Sequence, residues 1–357
     1  MCAPIRVLVV DDSAFMRTAL SRMIASEAGF EVVGTARSGA DALEKIPALN
    51  PDVITLDVEM PGLDGLQTQR RIMSQFPRPV IMVSAVTNKD AHHTFDALAA
   101  GAFDYVPKQL SSTSLDILHI RPDLIAKIRA AAQSQASHRG GVLSKKPPRS
   151  SLLERRAAGT PFAPAIVALG TSTGGPKALQ EILPLLPRDL SVPIVIVQHM
   201  PRGFTGPFAQ RLNTLCSVSV REATHGEQIQ PGVVYIAPAG LHIRVERMSA
   251  SRAVLCLNAP TEHCPHVPSV DALMSSVAEA FGNLAMGVIL TGMGSDGAAG
   301  MQAIYRQGGL TIGQDEATCT VYGMPRVCAE LNILTRVVRL SEIPEQIVRA
   351  TRYRRRA

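Results

Sequence analysis

Short apolar runs separated by segments of helical period restrict the fold of this chain more than any other feature. In the first third the runs are IRVLVV (5–10), EVVGTA (31–36), DVITLD (52–57), PVIMVS (79–84) and FDYVP (103–107). The segments between them, such as 14–26 and 40–49, carry apolar residues at helical spacing. Five strands alternating with helices predict a parallel sheet covered on both faces, with functional groups gathered at the carboxyl ends of the strands. The first strand ends in Asp11-Asp12, the third in Asp57 and the fourth in Ser84, while Lys108 follows the fifth. Clustered carboxylates repel one another and call for a cation, and oxygen ligands suit Mg²⁺. A carboxylate beside Mg²⁺, an ammonium and a hydroxyl is equipped to accept a phosphoryl group. Taken singly, each Asp reads equally well as a cap or a solvated loop end. Four strand ends in the right order do not.

The second organising stretch is AIVALGTSTGGPKAL (165–179): an apolar strand, a turn of small residues, then a helix start with Pro176 in its first turn. Within it Gly170–Gly174 matches G-x-S-x-G, a pattern that holds a nucleophilic serine on a sharp strand-to-helix turn. A glycine-rich phosphate-binding turn fits the same residues, so the partners of Ser172 decide between the two. Two further strand-like runs end in candidate partners. PIVIVQHMPRGFT (193–205) ends its strand at His199, and AMGVILTGMGSDGAAGM (285–301) carries Asp296 in a glycine-dense loop. A serine hydroxyl, an imidazole to take its proton and a carboxylate to orient the imidazole make up the required set. Glycines 292, 294 and 297 leave room for Met293 and its neighbours to present backbone N–H groups to an oxyanion. The order Ser–His–Asp differs from the Ser–Asp–His of α/β-hydrolases, in which the base would be a later residue such as His225, His242, His263 or His266. His225 and His242 flank the hairpin-like segment 231–248 and read as surface or hairpin residues. His263, Cys264 and His266 lack the second ligand cluster a zinc site needs. Asp271 stands at a helix start and reads as a cap.

At 357 residues and 46% hydrophobic, the chain can build two ordinary cores. The six scattered cysteines form no CxxC pair and read as reduced thiols. Without a visible secretion signal or an apolar stretch of membrane length, a cytoplasmic protein is expected, with no membrane insertion. Its net charge of +6 does not indicate a nucleic-acid partner: segments 136–160 and 349–357 each carry five net positive charges, leaving −4 elsewhere. After the helix-like 124–136, the run SHRGGVLSKKPPRSS has no apolar period and reads as a basic linker.

The DD at 11–12, LDVEMPGLDG at 56–65, VSA at 83–85 and Lys108 resemble a response-regulator receiver domain. The resemblance implies a flavodoxin-like fold in which a histidine kinase phosphorylates Asp57. Asp11, Asp12, Asp57 and the Glu59 carbonyl would surround Mg²⁺, with Ser84, Tyr105 and Lys108 registering the phosphate. Gln109 departs from the proline usual after the lysine. GTSTGGPKAL, VQHMPRGFT, PSVDALM and LTGMGSDGAAGM together resemble the catalytic domain of chemotaxis protein-glutamate methylesterases. That resemblance implies Ser172 as nucleophile, His199 as base and Asp296 as its orienting acid, with Thr173 and Met293 binding the oxyanion. It implies glutamate γ-methyl esters of chemoreceptors as substrate, glutamine deamidation as a second activity, and no cofactor for the esterase. It further implies that the unphosphorylated receiver covers the Ser172 edge. Thr171 and Val267 depart from the alanine and arginine frequent there. The expected organisation is α/β throughout: a receiver with a five-stranded parallel sheet (1–134), a basic linker (135–160), and a doubly wound, mostly parallel domain with an antiparallel hairpin (161–357).

Overall fold

The computed structural model describes residues 3–85, 88–108, 119–140, 163–260, 264 and 266–352. Gln109, His263 and residues 141–160 of the expected linker lie outside them. The chain divides into two compact units, Met1–Leu143 and Ser144–Ala357.

In the first unit β1 (Ile5–Val10), β2 (Phe30–Ala36), β3 (Val53–Asp57), β4 (Val80–Ala85) and β5 (Asp104–Lys108) form a five-stranded sheet in the order β2-β1-β3-β4-β5. Every neighbouring pair is parallel. The helices α1 (Ala14–Ala25), α2 (Gly39–Leu49), α3 (Gly65–Gln75), α4 (Asn88–Ala99) and α5 (Arg121–Gly140) alternate with the strands. Their starts are written in the sequence: Ser13, Ser38 and Asp64 each accept a backbone N–H from the first turn of α1, α2 and α3. The helix read over 124–136 runs on to Gly140, through the first residues of the segment read as linker. Register brings the strand ends together. Val10 pairs with Leu56, so Asp11 and Asp57 come next along adjacent strands. Asp57 in turn pairs with Val83, and Ala85 with Lys108.

In the second unit β6 (Ile166–Thr171), β7 (Ile194–Gln198), β8 (Ser219–Glu222), β9 (Val233–Ile236), β12 (Ala285–Ile289), β13 (Leu310–Gln314) and β14 (Arg336–Val338) build a seven-stranded sheet. Its order is β14-β13-β12-β6-β7-β9-β8, with all neighbours parallel. β6, β7 and β12 are buried along their whole length, which explains why their sequences are apolar up to Thr171 and Gln198 at the ends of β6 and β7. Each fully buried Val, Leu or Ile there stabilises the fold by about 1.5–3 kcal/mol. The antiparallel hairpin is present but lies one strand later than 231–248 suggests. β10 (His242–Arg247) pairs with β11 (Ala253–Asn258), while the all-buried VVYI run joins the parallel sheet as β9. The chain leaves β6 for β7 on one side and later returns to β12 on the other. Loops at the carboxyl ends of β6 and β12 therefore diverge, and such a switch point opens a crevice.

Candidate active site and phosphoacceptor pocket

Three residues named from sequence stand at that crevice. Thr171 pairs with Gln198, so Ser172 and His199 are the next residues along neighbouring strands. Backbone and side-chain bonds close the gap between them. The His199 N–H donates to the Thr171 carbonyl at 3.1 Å, and the buried Gln198 amide donates to the carbonyls of both Ser172 and His199 at 3.0 Å. On the other side Gly170 pairs with Ile289, and the Ser172 N–H donates to the Thr291 carbonyl at 3.1 Å. The serine is thus held between the loops that follow β7 and β12. Gly174 makes the turn: its φ is +77°, and a Cβ there would stand 2.4 Å from Thr320 Cβ. Gly174→Ala is expected to destabilise the protein by about 2–4 kcal/mol, from left-handed strain plus overpacking, read as a lower urea midpoint.

His199 Nε2 lies 2.8 Å from Asp296 Oδ2. Asp296 also accepts from Ser269 Oγ at 2.9 Å, Val270 N at 2.7 Å and Asp271 N at 3.0 Å. Val270 and Asp271 open α8 (Val270–Phe281), so the carboxylate sits on a helix N-terminus. Burial disfavours its charge, but the bonds from His199, Asp271 and Val270 outweigh that and hold the carboxyl well below its usual range. An ionised Asp296 can only accept, so Nε2 carries the ring proton and Nδ1 is left as the basic nitrogen. Thr173 is buried, and Met293 is half-buried beside Gly323. Among the described residues, neither the Thr173 nor the Met293 backbone N–H donates to a protein acceptor.

The other candidates take other roles, and Asp271 differs in part from the sequence reading. His225 is exposed, its Nδ1 accepting from Leu257 N. His242 is a hairpin residue, the first of β10, and is buried where β10 packs under the start of α8; its Nδ1 accepts from Ser269 N at 3.3 Å. Burial lowers its pKa, with Asp296 pulling the other way. Asp271 caps, as expected of it, but its acceptor role is for the next helix: it takes the Gly300 N–H of α9 (Ala298–Arg306) at 2.7 Å, while Ser269 caps α8 itself. His266 stacks on His199. Sequence reasoning passed over Gln198 and Ser269, and weighed His266 only as an alternative base or zinc candidate. Only Ser269, at the cap position before an apolar helical run, carried a readable signal.

In the first unit the Lys108 ammonium lies 2.9 Å from Asp11 Oδ2 and 2.7 Å from Asp57 Oδ2. Asp11, Asp12 and Asp57 offer carboxylate oxygens within 4.8 Å of one another. Burial pushes Asp57 up to about 6, opposed by Lys108 and reinforced by Asp11. Lys108 is raised despite its burial, because both carboxylates favour its charge. Glu59 and Asp57 line the same cavity. The Ser84 hydroxyl donates to the Ala85 carbonyl and accepts from Thr94 Oγ1 at 2.9 Å. Tyr105 is buried, under the Lys127 ammonium, whose nitrogen is 5.3 Å from the ring centre. Three carboxylates against one ammonium leave two negative charges uncompensated, which fits a hard divalent cation.

A family model described as CheB methylesterase matches residues 167–347, and one described as response regulator receiver domain matches residues 7–118. The protein-glutamate methylesterase/protein-glutamine glutaminase 1 of Oleidesulfovibrio alaskensis is 44% identical over 366 residues, covering 97% of this chain and 99% of the relative. The chain belongs to the CheB methylesterase family. It is therefore an enzyme, a CheB methylesterase domain joined to a receiver domain. A relative from Halalkalibacterium halodurans with the name protein-glutamate methylesterase/protein-glutamine glutaminase is 45% identical, covering 97% of this chain and 98% of its own length. The crystal structure of the Thermotoga maritima CheB methylesterase catalytic domain covers 52% of this chain and 98% of its own, at 38% identity and a TM-score of 0.51. No described helix is long and apolar enough to cross a membrane.

Proposed function

We propose that this CheB-family chain hydrolyses glutamate γ-methyl esters on chemoreceptors, deamidates glutamine side chains there, and is activated by phosphorylation of Asp57. The observation that carries the esterase reading is the His199–Asp296 pair, closed through Nε2 beside the Ser172 turn. Ser172 Oγ attacks the ester carbonyl as His199 Nδ1 takes its proton, and the Asp296 carboxylate stabilises the imidazolium. The Thr173 and Met293 amides donate to the oxygen that becomes negative. The imidazolium then protonates the departing methoxide, releasing methanol and leaving an acyl ester on Ser172. Water, deprotonated by Nδ1, attacks that ester and frees the glutamate carboxylate and the serine. With a glutamine side chain the same steps release ammonia.

In the receiver, Asp57 would accept a phosphoryl group from a histidine kinase. Asp11, Asp12, Asp57 and the Glu59 carbonyl would hold Mg²⁺, which offsets the charge that develops during the transfer. Lys108 pairs with the Asp57 oxygen beforehand and can follow the phosphoryl oxygens afterwards. Ser84 and Tyr105 would register the change, biasing the chain toward its active population.

Methanol released from methylated receptor, with and without a small phosphodonor and Mg²⁺, tests both parts. The parent chain should release methanol faster with the phosphodonor, whereas Asp57→Asn should keep its unstimulated rate and lose the stimulation. Equal stimulation of parent and Asp57→Asn would remove Asp57 from the account; no methanol from the parent would remove the esterase reading.

A further inference from the structure

The segment that holds Asp296 also touches the ring that Asp296 orients. Ser269 Oγ and the N–H groups of Val270 and Asp271 fix the carboxylate. Three residues before Ser269, the His266 imidazole lies flat on the His199 imidazole, with ring centres 4.5 Å apart and planes 13° from parallel. That separation is at the close end of the range for stacked rings. Residues 266–271 thus grip the pair from two directions, the acid from behind and the imidazole across its face. A hydrogen bond to Asp296 alone leaves the His199 ring free to swing about the Nε2–Oδ2 axis, which would change where Nδ1 points. A ring laid on its face removes that freedom.

We propose that His266 is a positioning residue for the esterase, its ring clamping the His199 imidazole so that Nδ1 holds one orientation beside the Ser172 turn. His266 exchanges no proton with substrate in this role. The groups acting on it are His199, from the loop after β7, and Asp296, from the loop after β12. His266 is exposed, and its partial burial together with the His199 charge lowers its pKa, with Asp296 opposing them. The clamp is therefore neutral at neutral pH. Acidification that protonates it sets two cations face to face and disfavours the imidazolium the reaction must form.

The inference rests on the esterase reading, and the test separates the two. In the full chain, His266→Ala is expected to lower kcat for methanol release about tenfold with KM within about twofold, since loss of orientation acts on the transition state. His266→Phe, which restores a flat ring, should recover the rate to within about threefold. It should also show a shallower acid limb in kcat/KM than the parent, having lost one titrating group. Equal impairment of the Ala and Phe variants, an unchanged His266→Ala, or a change confined to KM would overturn the clamp. If the parent releases no methanol, the esterase reading fails and proton NMR still decides the clamp. The His199 Nε2 proton bonded to Asp296 should exchange with water at least tenfold faster in His266→Ala than in the parent or His266→Phe. Equal exchange in all three would overturn it.

Discussion

Ser172→Ala is expected to lower methyl-ester turnover by about 10⁵–10⁶-fold, with substrate binding little changed. The size follows from what the hydroxyl does. Without it no acyl ester forms, and the remaining machinery can only polarise the carbonyl toward bulk water. The Thr173 and Met293 amides stay in place, because the Ser172 backbone, not its side chain, ties the turn to Thr291 and Gln198. A small residual rate above that of water is therefore part of the expectation. His199→Ala should fall to a similar level, and the double variant no lower than the worse single one, because the two residues act as a unit. Methanol release at saturating receptor gives kcat directly; urea midpoints equal to the parent's would show that the loss is chemical.

Asp296→Asn carries the second largest effect, about 10⁴-fold in kcat, because an amide stabilises the wrong tautomer of His199 and not its cation. The structural consequences are larger than at Ser172. The carboxylate accepts from Ser269 Oγ and from the N–H groups of Val270 and Asp271 besides His199. An amide cannot accept from all four, and one buried donor left without a partner costs about 1–3 kcal/mol. The pH dependence of stability has a definite sign. Because the native Asp296 pKa is depressed, its stabilisation is full above the unfolded carboxyl value near ~4 and fades as pH falls through the lower native value. The stability gap between parent and Asp296→Asn should thus be constant at neutral pH and narrow under acid conditions. Urea unfolding of both chains across that range checks it; a gap that widens on acidification would contradict the assigned ionisation.

What could be read in advance was whatever strand ends carry. Parallel strands with apolar sequences end at one edge of their sheet, so Asp11, Asp57 and Lys108 in one unit, and Ser172 and His199 in the other, could be named from where each run stops, and Asp296 from the glycine-dense loop after its strand. The hairpin was misplaced by one strand because VVYI is apolar at every position, and such a run suits a buried parallel strand as well as a hairpin arm. The burial of His242 within the hairpin was illegible for a related reason: alternation along β10 says which residues share a face but not what covers that face. His266 could be read only as an alternative base or a zinc candidate, not as a partner of His199. Nothing in EHCPHVPSV marks a stacking partner, since the contact is made across 67 residues of chain by a loop without periodicity. Gln198 was hidden as the last residue of an apolar strand, where a polar side chain reads as the end of burial and here is buried with the rest.

The most direct test is the labelling of the intact chain by a fluorophosphonate, which needs an activated nucleophile and no receptor at all. The account expects a single adduct on Ser172, formed in the parent and slowed about 10³-fold or more in His199→Ala. An adduct on any other residue, or equal labelling rates with and without the residue 199 imidazole, would contradict it.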